Sequence, residues 1–435
     1  MINMSTPRAN VCADVIPALV CPDCNGQFRI VSGTRRHGIG SCSCQQVVIA
    51  YGVVLSARGP RGRRLLEALG KDPGQKPPRV IPRRSWLRVR WMELTRIRVT
   101  FRRYLRHAAL GWLLTGRTVG EFCRRRSGNQ LVKPFWGAGQ WHLYMQHRFT
   151  APSFLAARAA LGLLQGRDGL ILDAPCGMGH LSHYLAKMAD PARIVAMDLD
   201  PESAYAARRF FIPNAAAVLA WDMNEPLPLE DGSVGAIFCV DAFHYVTAKR
   251  VLANEFTRVL SDDGVIAILH LHNGLQANPM PGTPLSPDEY ADLFHGNTIR
   301  MYPEDHFLSA QLRNDPIDLT RSAPPEDLKK ANALMLIVAK DPDTLSELIP
   351  TRTLLAGRAS NPQLSDFYTV RRKGGKLIFK CSIPPTLRGE YPNIGAILPQ
   401  RWVSAAALGV SGQSLSETQQ SLLEHNIFID FPDNY

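Results

Sequence analysis

The central part of the chain alternates short apolar runs with amphipathic segments. Val251, Leu252, Phe256, Val259 and Leu260, for example, recur near the period of a helix. The apolar runs are short and end at turn residues or at an acidic residue, as buried strands do. Five such strands are predicted, at 169–172, 193–198, 218–222, 234–240 and 265–271. Strands that alternate with helices at this spacing predict a doubly wound parallel sheet of the α/β class.

The pattern continues beyond residue 274. Residues 286–294 predict a helix, and 298–302 and 333–339 predict two further strands. Upstream of the first strand, residues 152–165 predict another helix. The predicted fold is therefore a Rossmann-like α/β sheet of seven strands.

Acidic residues stand at the ends of the first three predicted strands. Asp173 follows the first strand and precedes a tight loop that contains Gly177 and Gly179. Asp198 ends the second strand, where an acid can accept hydrogen bonds from ribose hydroxyls, and Asp222 ends the third. Ligands of open α/β sheets bind at the carboxyl ends of the strands. This edge of the sheet is therefore the predicted site of an adenosine cofactor.

Residues 169–272 resemble class I S-adenosylmethionine (SAM)-dependent methyltransferases. The family pattern is Asp-x-x-x-Gly-x-Gly after the first strand, an acid after the second and third strands, and Arg-Val-Leu-x-x-x-Gly before the fifth, which stands here at 258–264. The resemblance implies SAM as the cofactor and a role for each matching position. It places the methionine part of SAM at Asp173, Gly177 and Gly179, the ribose at Asp198, and the adenine at Leu199, Asp222 and Met223.

One position departs from the family pattern. The family often has an acid in the turn into the fourth strand, where this chain has Gly235, but that acid is usually structural. A Rossmann domain that binds NAD is the alternative interpretation. Its Gly-x-Gly-x-x-Gly fingerprint is absent, because Ser182 stands where the third glycine would be.

The resemblance also implies a lid, because the segment before the first strand folds over the cofactor in this family. The candidates are Trp141, Tyr144, His147 and Arg148, of which Tyr144 is taken as a cofactor contact. Packing of these aromatic residues in the core is the alternative. Residues 278–287 contain four prolines and predict a loop over the active site.

The acceptor should bind at the ends of the fourth and fifth strands. The fourth strand leads into Asp241 and His244, and the fifth ends with His270 and His272, which share one face of the strand. A histidine with a pKa near neutrality can take a proton from a hydroxyl or an amine. His244 is the first choice as general base and His270 or His272 the second, with pocket shaping as the simpler role. A second metal ion held by Asp241, His270 and His272 is a further alternative.

Four cysteines near the N-terminus have metal-ligand spacing. Cys21 and Cys24 form one knuckle, and Cys42 and Cys44 form a second, tighter one. This pattern predicts a structural zinc ribbon, with strands at 26–31 and 47–55. His37 could replace one cysteine, and a reduced set of thiols without metal is the alternative. Residues 18–56 look like the zinc-ribbon proteins that activate tRNA, rRNA and protein methyltransferases, and are similar to the zinc knuckle of bacterial rRNA guanine methyltransferases.

Positive charge is concentrated between residues 58 and 133. This segment has 21 Lys and Arg against four Asp and Glu, an excess greater than the formal net charge of +12 of the whole chain. Tryptophan, phenylalanine and tyrosine are interleaved with the arginines. Such a segment can bind a nucleic-acid backbone, anionic lipid or an acidic protein. A solvated linker followed by helical residues 85–115, packing its aromatic residues on the catalytic domain, is the simplest interpretation.

These observations predict four parts: a zinc ribbon at 1–58, a basic linker and helical segment at 59–134, a methyltransferase domain at 135–340 and an α+β accessory domain at 341–435. In the last part, residues 368–380 predict a hairpin, and 403–408 and 415–425 predict helices.

No run of 18 apolar residues and no signal peptide is evident, which favours a cytoplasmic enzyme. The favoured acceptor is an O or N atom of a small molecule in biosynthesis. The alternatives are an RNA methyltransferase and a non-enzymatic binding protein. The oligomeric state is not predicted.

Overall fold

The computed structural model describes residues 15–34, 37–50, 52–56, 67, 148–278, 280–349, 358–359, 362–365, 367–373, 376–382, 401–404 and 416–432. The basic segment 58–133 therefore lies outside the described residues, apart from Glu67. The lid candidates Trp141, Tyr144 and His147 also lie outside them, so the assignment of Tyr144 to the cofactor stays a prediction.

Nineteen strands occur in the described residues. In chain order they are β1 (Val15–Val20), β2 (Gln27–Gly33), β3 (His37–Ser41), β4 (Gln46–Ala50), β5 (Val53–Ser56), β6 (Leu170–Asp173), β7 (Ile194–Asp198), β8 (Ala217–Ala220), β9 (Val234–Val240), β10 (Leu260–His272), β11 (Thr298–Pro303), β12 (Ile317–Asp318), β13 (Ala333–Ala339), β14 (Glu347–Leu348), β15 (Pro362–Leu364), β16 (Tyr368–Lys373), β17 (Lys376–Cys381), β18 (Arg401–Ser404) and β19 (Phe428–Asp430).

Eight α-helices accompany these strands in the same ranges. They are α1 (Pro152–Ala159), α2 (His180–Met188), α3 (Pro201–Ala206), α4 (Lys249–Val259), α5 (Pro287–Asp292), α6 (Glu304–Arg313), α7 (Pro325–Lys330) and α8 (Glu417–Glu424). None of these helices combines the length and apolar character that crossing a bilayer would require.

Twelve strands form one continuous sheet, in the order β1-β2-β3-β4-β5-β8-β7-β6-β9-β10-β13-β11. The pairs between β8 and β10 along this order are parallel, and β13 runs antiparallel to both of its neighbours. The order of the catalytic strands reverses beside β6. In such sheets a ligand crevice forms at this switch point, outside the carboxyl ends of the strands.

The prediction of a seven-stranded sheet was wrong, because the N-terminal strands extend it. β5 pairs in parallel with β8, with Val54 opposite Leu219 and Leu55 opposite Ala220. An edge strand presents unpaired backbone N–H and C=O groups that another strand can bind. The meander β1–β5 covers the β8 edge in this way and is part of the same sheet.

Apolar residues cover both faces of the central strands, as expected for a doubly wound sheet. β9 and β13 are buried along their whole length. On one face Phe238 belongs to the core that includes α1 and α2, and on the other Ile237 belongs to the core that includes α4 and α5. Because successive strand residues point to opposite faces, continuous apolar runs such as 234–240 serve both cores.

Two local predictions differ from the structure. The predicted strand 47–55 is a hairpin, because Gly52 turns the chain at φ +78° between β4 and β5. Residues 401–404, at the start of the predicted helix 403–408, form β18 and pair with β17. Local composition favoured a helix there, whereas pairing with a neighbouring strand decided the backbone.

The described C-terminal residues pack on the catalytic layers. Phe428 and Phe431 belong to the same core as Phe149 and Tyr184, and the Tyr184 hydroxyl donates to the carbonyl oxygen of Asp430 at 2.8 Å. The proposed division of the chain into four domains stays a prediction. The contacts indicate that residues 416–432 help to bury the face that carries α2.

Candidate active site

The glycine loop connects β6 to α2 and is shaped by two glycines in left-handed conformations. Gly179, at φ +90°, immediately precedes α2, and a Cβ there would lie 3.1 Å from the Cβ of Ala207. Gly177, at φ +53°, donates its N–H to Asp198 Oδ2 at 2.8 Å. A Cβ at Gly177 would meet no atom within 4 Å. The loop thus packs tightly on the helix side and is open at Gly177.

Asp173 is fully buried at the end of β6. The hydroxyl of Ser182 donates to Oδ2, whereas Oδ1 is buried and has no hydrogen-bond partner in the described ranges. Burial raises the pKa of Asp173 to about 7, and the hydrogen bond from Ser182 opposes this shift. Ser182 stands where an NAD fingerprint would have its third glycine. Here its hydroxyl fixes the carboxylate of Asp173 by a hydrogen bond. A buried acceptor without a partner is well suited to a ligand that brings a donor.

Asp198 connects the second strand to the glycine loop. Its Oδ2 accepts from the N–H of Gly177 and its Oδ1 accepts from the N–H of Asp200 at 2.8 Å. Burial raises its pKa to about 6, although both hydrogen bonds favour the ionised form. The next residue, Leu199, is 61 % exposed. A fixed carboxylate beside an exposed apolar side chain can bind a sugar with an attached aromatic base.

Asp222 lies beyond the end of β8 and is partly exposed, while Met223 is buried. Asp222 Oδ1 accepts from the backbone and the side chain of Asn224, at 2.9 and 2.8 Å. Asn224 Oδ1 in turn accepts from Thr247 and from the N–H of Ala248, before α4. The third acid is therefore fixed to the loop that follows β9.

Asp241 is the first residue after β9 and adopts φ +56°. Its N–H donates to the carbonyl oxygen of Leu269, and its Oδ2 accepts from Arg148 Nη1 at 2.8 Å. Both side chains of this pair are about nine-tenths buried, with 8 % and 11 % exposed. Arg148, named from the sequence as a lid candidate, is thus in contact with the predicted acceptor site.

His270 lies between two carboxylates. Its Nδ1 is 2.7 Å from Glu304 Oε1, and its Nε2 is 3.6 Å from Asp241 Oδ1. Burial opposes the charge of the ring, but Glu304 and Asp241 outweigh burial and raise the pKa of His270 to about 9. The ring is therefore protonated at neutral pH and has no lone pair for a proton. Glu304 was missed in the sequence, because nothing local connects the first residue of α6 with β10.

His244 and His272 lie against each other beneath the same strand ends. Their rings are stacked, with centroids 3.7 Å apart and planes 15° from parallel. His244 is fully buried, and neither of its ring nitrogens has a hydrogen-bond partner among the residues that the structure describes. Burial lowers the pKa of His244 to about 3, and burial also lowers the pKa of His272. Both rings are therefore neutral, and the general-base assignments stay predictions.

The backbone around His244 is held by the loop at 274–285. Lys249 Nζ donates to the carbonyl oxygens of His244 and Val246 and to Thr283 Oγ1, at 3.3, 2.7 and 2.6 Å. Thr283 N–H also donates to the carbonyl oxygen of His244, and a Cβ on Gly282 would lie 3.1 Å from His244 Cδ2. The predicted proline-rich loop thus lies against the acceptor-side histidines.

The four N-terminal cysteines lie together between β1 and β4. The sulfur atoms of Cys21 and Cys44 are 3.3 Å apart, and those of Cys24 and Cys42 and of Cys42 and Cys44 are each 3.7 Å apart. Tetrahedral zinc with Zn–S bonds of about 2.3 Å places its sulfurs about 3.8 Å apart. The side chain of His37 lies outside the described part of the structure.

Comparison with known proteins agrees with this architecture. Residues 172–268 match the family described as "Methyltransferase domain". The chain is 26 % identical over 153 residues to the 2-methyl-6-phytyl-1,4-hydroquinone methyltransferase of Synechocystis sp.. This match covers 32 % of this chain and 46 % of that protein. It is 28 % identical over 127 residues to a Mycobacterium ulcerans protein named as a probable phthiotriol/phenolphthiotriol dimycocerosates methyltransferase. That match covers 29 % of this chain and 44 % of the relative. The chain thus spans about half the length of these curated relatives.

Solved structures with a similar fold include two SAM-dependent methyltransferases. One, from Aquifex aeolicus, is 17 % identical with a TM-score of 0.32 and covers 46 % of this chain and 96 % of that one. The other is a TehB-like enzyme from Corynebacterium glutamicum, which is 17 % identical with a TM-score of 0.30. That match covers 43 % of this chain and 88 % of the C. glutamicum chain. Because these TM-scores are low, the assignment of the domain depends on the family match and on the strand order alone. Residues 172–268 form the core of a class I SAM-dependent methyltransferase domain.

Proposed function

We propose that this protein transfers a methyl group from SAM to an O or N atom of a small-molecule acceptor, as part of a biosynthetic pathway. The observation that supports it most is the juxtaposition of two sets of side chains at one edge of the sheet. Asp173 and Asp198 end β6 and β7, Asp241 and His244 follow β9, and His270 lies near the end of β10. A cofactor and an acceptor bound at this edge would meet across the switch point.

The residues on the cofactor side fit SAM. Asp173 Oδ1, buried and without a partner, can accept from the ammonium of the methionine part, for which the loop leaves space at Gly177. Asp198 is fixed by two backbone N–H groups and retains lone pairs for ribose hydroxyls. Leu199 is exposed where the adenine would pack. We assign Met223 and Asp222 to the other side of the adenine.

The residues on the acceptor side can orient a polar acceptor. When bound, SAM supplies an electrophilic methyl group on a sulfonium. The chain contributes mainly the alignment of the acceptor with that methyl group. His270 is held protonated by Glu304 and Asp241, and Arg148 adds a second positive charge beside Asp241. Each positive charge is paired with a carboxylate, so these fixed groups can orient a polar acceptor without supplying a net charge, and the weakly basic His244 is poorly suited to take its proton.

A small acceptor suits the enclosure of this site better than a polymer does. His244 and His272 are 0 % and 4 % exposed, Arg148 binds the neighbouring Asp241, and Thr283 donates to the backbone of His244. The two curated relatives are named for a hydroquinone and a lipid acceptor, which are small molecules. An RNA acceptor would instead require the basic segment 58–133, which lies outside the described residues.

One experiment separates these acceptor classes. The full chain is purified natively, and bound molecules are identified by mass spectrometry and by the absorbance ratio of nucleic acid to protein. We expect SAM or S-adenosylhomocysteine and no RNA. Charge reversal at Arg102, Arg103 and Arg106 should leave turnover nearly intact at moderate salt. RNA binding whose affinity falls steeply with salt and that is lost with these reversals would replace the small-molecule proposal with RNA.

We also propose that Cys21, Cys24, Cys42 and Cys44 hold one structural zinc ion. All four sulfurs lie within 4.8 Å of one another, and the side chain of Gln45 donates to Cys21 Sγ at 2.9 Å. Cys21 is fully buried in the same core as Phe28 and Trp221. The zinc would therefore stabilise the meander that extends the catalytic sheet. The described cysteines are all free of disulfides, in keeping with our placement of the protein in the reducing cytoplasm.

Metal analysis of the freshly purified protein tests the zinc proposal. We expect about one zinc ion per chain, and loss of that zinc with local unfolding of β1–β5 in Cys21→Ser. Cys381→Ser, at a cysteine far from the cluster in sequence, is the control and should keep its zinc. Zinc-free protein with an intact N-terminal meander would refute the proposal.

A further inference from the structure

The strand ends on the acceptor side also place three metal-ligand side chains together. One donor atom from each of Asp241, His244 and His272 lies within 4.8 Å of the others. The set differs from the alternative drawn from the sequence, because His244 takes the place of His270. Two imidazoles and one carboxylate form a donor set that binds divalent transition metals.

His244 supplies the second observation. It is fully buried, yet within the described part of the chain neither ring nitrogen has a hydrogen-bond partner. Lys249 and Thr283 hold its backbone carbonyl, and the ring stacks on His272. An imidazole buried without partners costs free energy unless a ligand satisfies it. A metal ion bound to one ring nitrogen would remove part of that cost.

Neighbouring residues orient the other two side chains. Arg148 binds Asp241 Oδ2, and Oδ1 faces toward His270. The Tyr290 hydroxyl donates to the carbonyl oxygen of His272 at 3.0 Å and fixes that end of β10. Such outer contacts commonly orient metal ligands. Donor atoms around one divalent ion lie about 3 Å apart, so binding would draw the three side chains together.

We infer that Asp241, His244 and His272 bind a divalent transition-metal ion beside the methyl-transfer site. The use of the ion, though not its binding, rests on the proposed function. When bound, the ion would lower the pKa of a neighbouring acceptor hydroxyl, whose proton would pass to water. The oxygen then forms a bond to the methyl carbon while the carbon–sulfur bond of SAM breaks, and S-adenosylhomocysteine leaves. The ion selects acceptors whose reacting atom is a metal-binding oxygen.

Binding of Mn²⁺ to the full chain tests the site directly. Mn²⁺ prefers oxygen and imidazole ligands, so it distinguishes this site from the cysteine cluster. We expect one Mn²⁺ per chain by electron paramagnetic resonance and calorimetry. Affinity should fall by about tenfold or more in His244→Ala and in Asp241→Asn. His295→Ala, at an exposed histidine outside both proposed metal sites, should bind Mn²⁺ as the wild type does.

The near-isosteric Asp241→Asn keeps the test valid if His244→Ala fails to fold. Unchanged Mn²⁺ affinity in both variants, or no binding by the wild type at millimolar Mn²⁺, would overturn the inference and leave the histidines as a stacked packing pair. Mn²⁺ binding is measured without SAM, so its failure leaves the methyl-transfer proposal standing. Failure of the wild type to bind SAM would refute the proposed function and leave the metal result unaffected.

Discussion

The cofactor side and the acceptor side of the site are built in different ways. On the cofactor side, Asp198 is held by the N–H groups of Gly177 and Asp200, which belong to its own or the adjacent βα loop. On the acceptor side, Asp241 is held by Arg148, 93 residues away, and His270 by Glu304, 34 residues away. The cofactor side therefore depends on backbone geometry, and the acceptor side depends on long-range side-chain pairs.

This difference matches the tasks of the two sides. Enzymes that share both this fold and a cofactor can bind it through the same local elements, a glycine loop and strand-end acids. The acceptor differs between enzymes, and its site is assembled from distant segments that can change independently. Variants on the two sides should therefore have separable effects on SAM affinity and on methyl transfer.

The largest expected effect is on the cofactor side. Asp198→Ala removes the acceptor of two backbone N–H groups and of the ribose hydroxyls. SAM affinity should fall by about 1.5–3 kcal/mol, the scale of hydrogen bonds to a charged group. Calorimetry measures this loss, and Asp190→Ala, at an exposed carboxylate before β7, is the control. Full affinity in both Asp198→Ala and Asp173→Ala would remove the basis for assigning SAM to this edge.

The second prediction concerns pH. Burial raises the pKa of Asp173 to about 7 and that of Asp198 to about 6, above the value of about 3.9 for an unfolded Asp. The contribution of these groups to folding stability therefore falls as pH rises from about 4 to about 7. SAM affinity should change in the opposite direction, because in the proposed site the ionised carboxylates bind the cofactor.

Calorimetric titrations between pH 5.5 and 8 measure this dependence. SAM affinity should decline by up to about tenfold per pH unit as pH falls through 7 and then 6. In Asp173→Asn, the part of this loss of SAM affinity that occurs near pH 7 should be absent. A flat profile in the wild type would contradict the role given to these two carboxylates.

The third prediction compares the two glycines of the loop. Gly179→Ala should destabilise the fold by about 1–2 kcal/mol through its left-handed conformation, and further through contact with Ala207. At Gly177 the added methyl group meets no atom, so the stability loss should be smaller. SAM affinity should nevertheless fall in Gly177→Ala, because the methyl group occupies space assigned to the methionine part. Denaturant unfolding and SAM calorimetry distinguish these outcomes, and an equal loss of stability would disagree with the packing described.

The smallest effect is expected on the acceptor side. Glu304→Gln removes the negative charge nearest to His270, so the pKa of His270 should fall from about 9. Methyl transfer should slow by several-fold, about 1 kcal/mol, with SAM affinity unchanged. Nuclear magnetic resonance titration of His270 reports the pKa, and Asp305→Asn, at the next and exposed residue of α6, is the matched control. Reduced SAM affinity in Glu304→Gln would show that the two sides are coupled.

Much of the catalytic sheet was predictable from the pattern of apolar residues. The strands at 234–240 and 333–339 have the bounds expected, because continuous apolar runs between turn residues determine strands buried on both faces. The acids at the ends of β6 and β7 were found for the same reason. The extension of the sheet by β5 was not predictable, because nothing in residues 53–56 specifies the edge strand to which they pair.

The sequence by itself determined the order of strands and helices, the glycine loop with its acids, and the spacing of the four cysteines. These features depend on neighbouring residues, whose periodicity and backbone preferences act locally. Only the tertiary structure decided that Arg148 binds Asp241, that Glu304 keeps His270 protonated, and that His244 is buried without a partner. The physical reason is that charge state and burial depend on which distant side chains the packed sheet brings together, and local pattern does not encode those pairings.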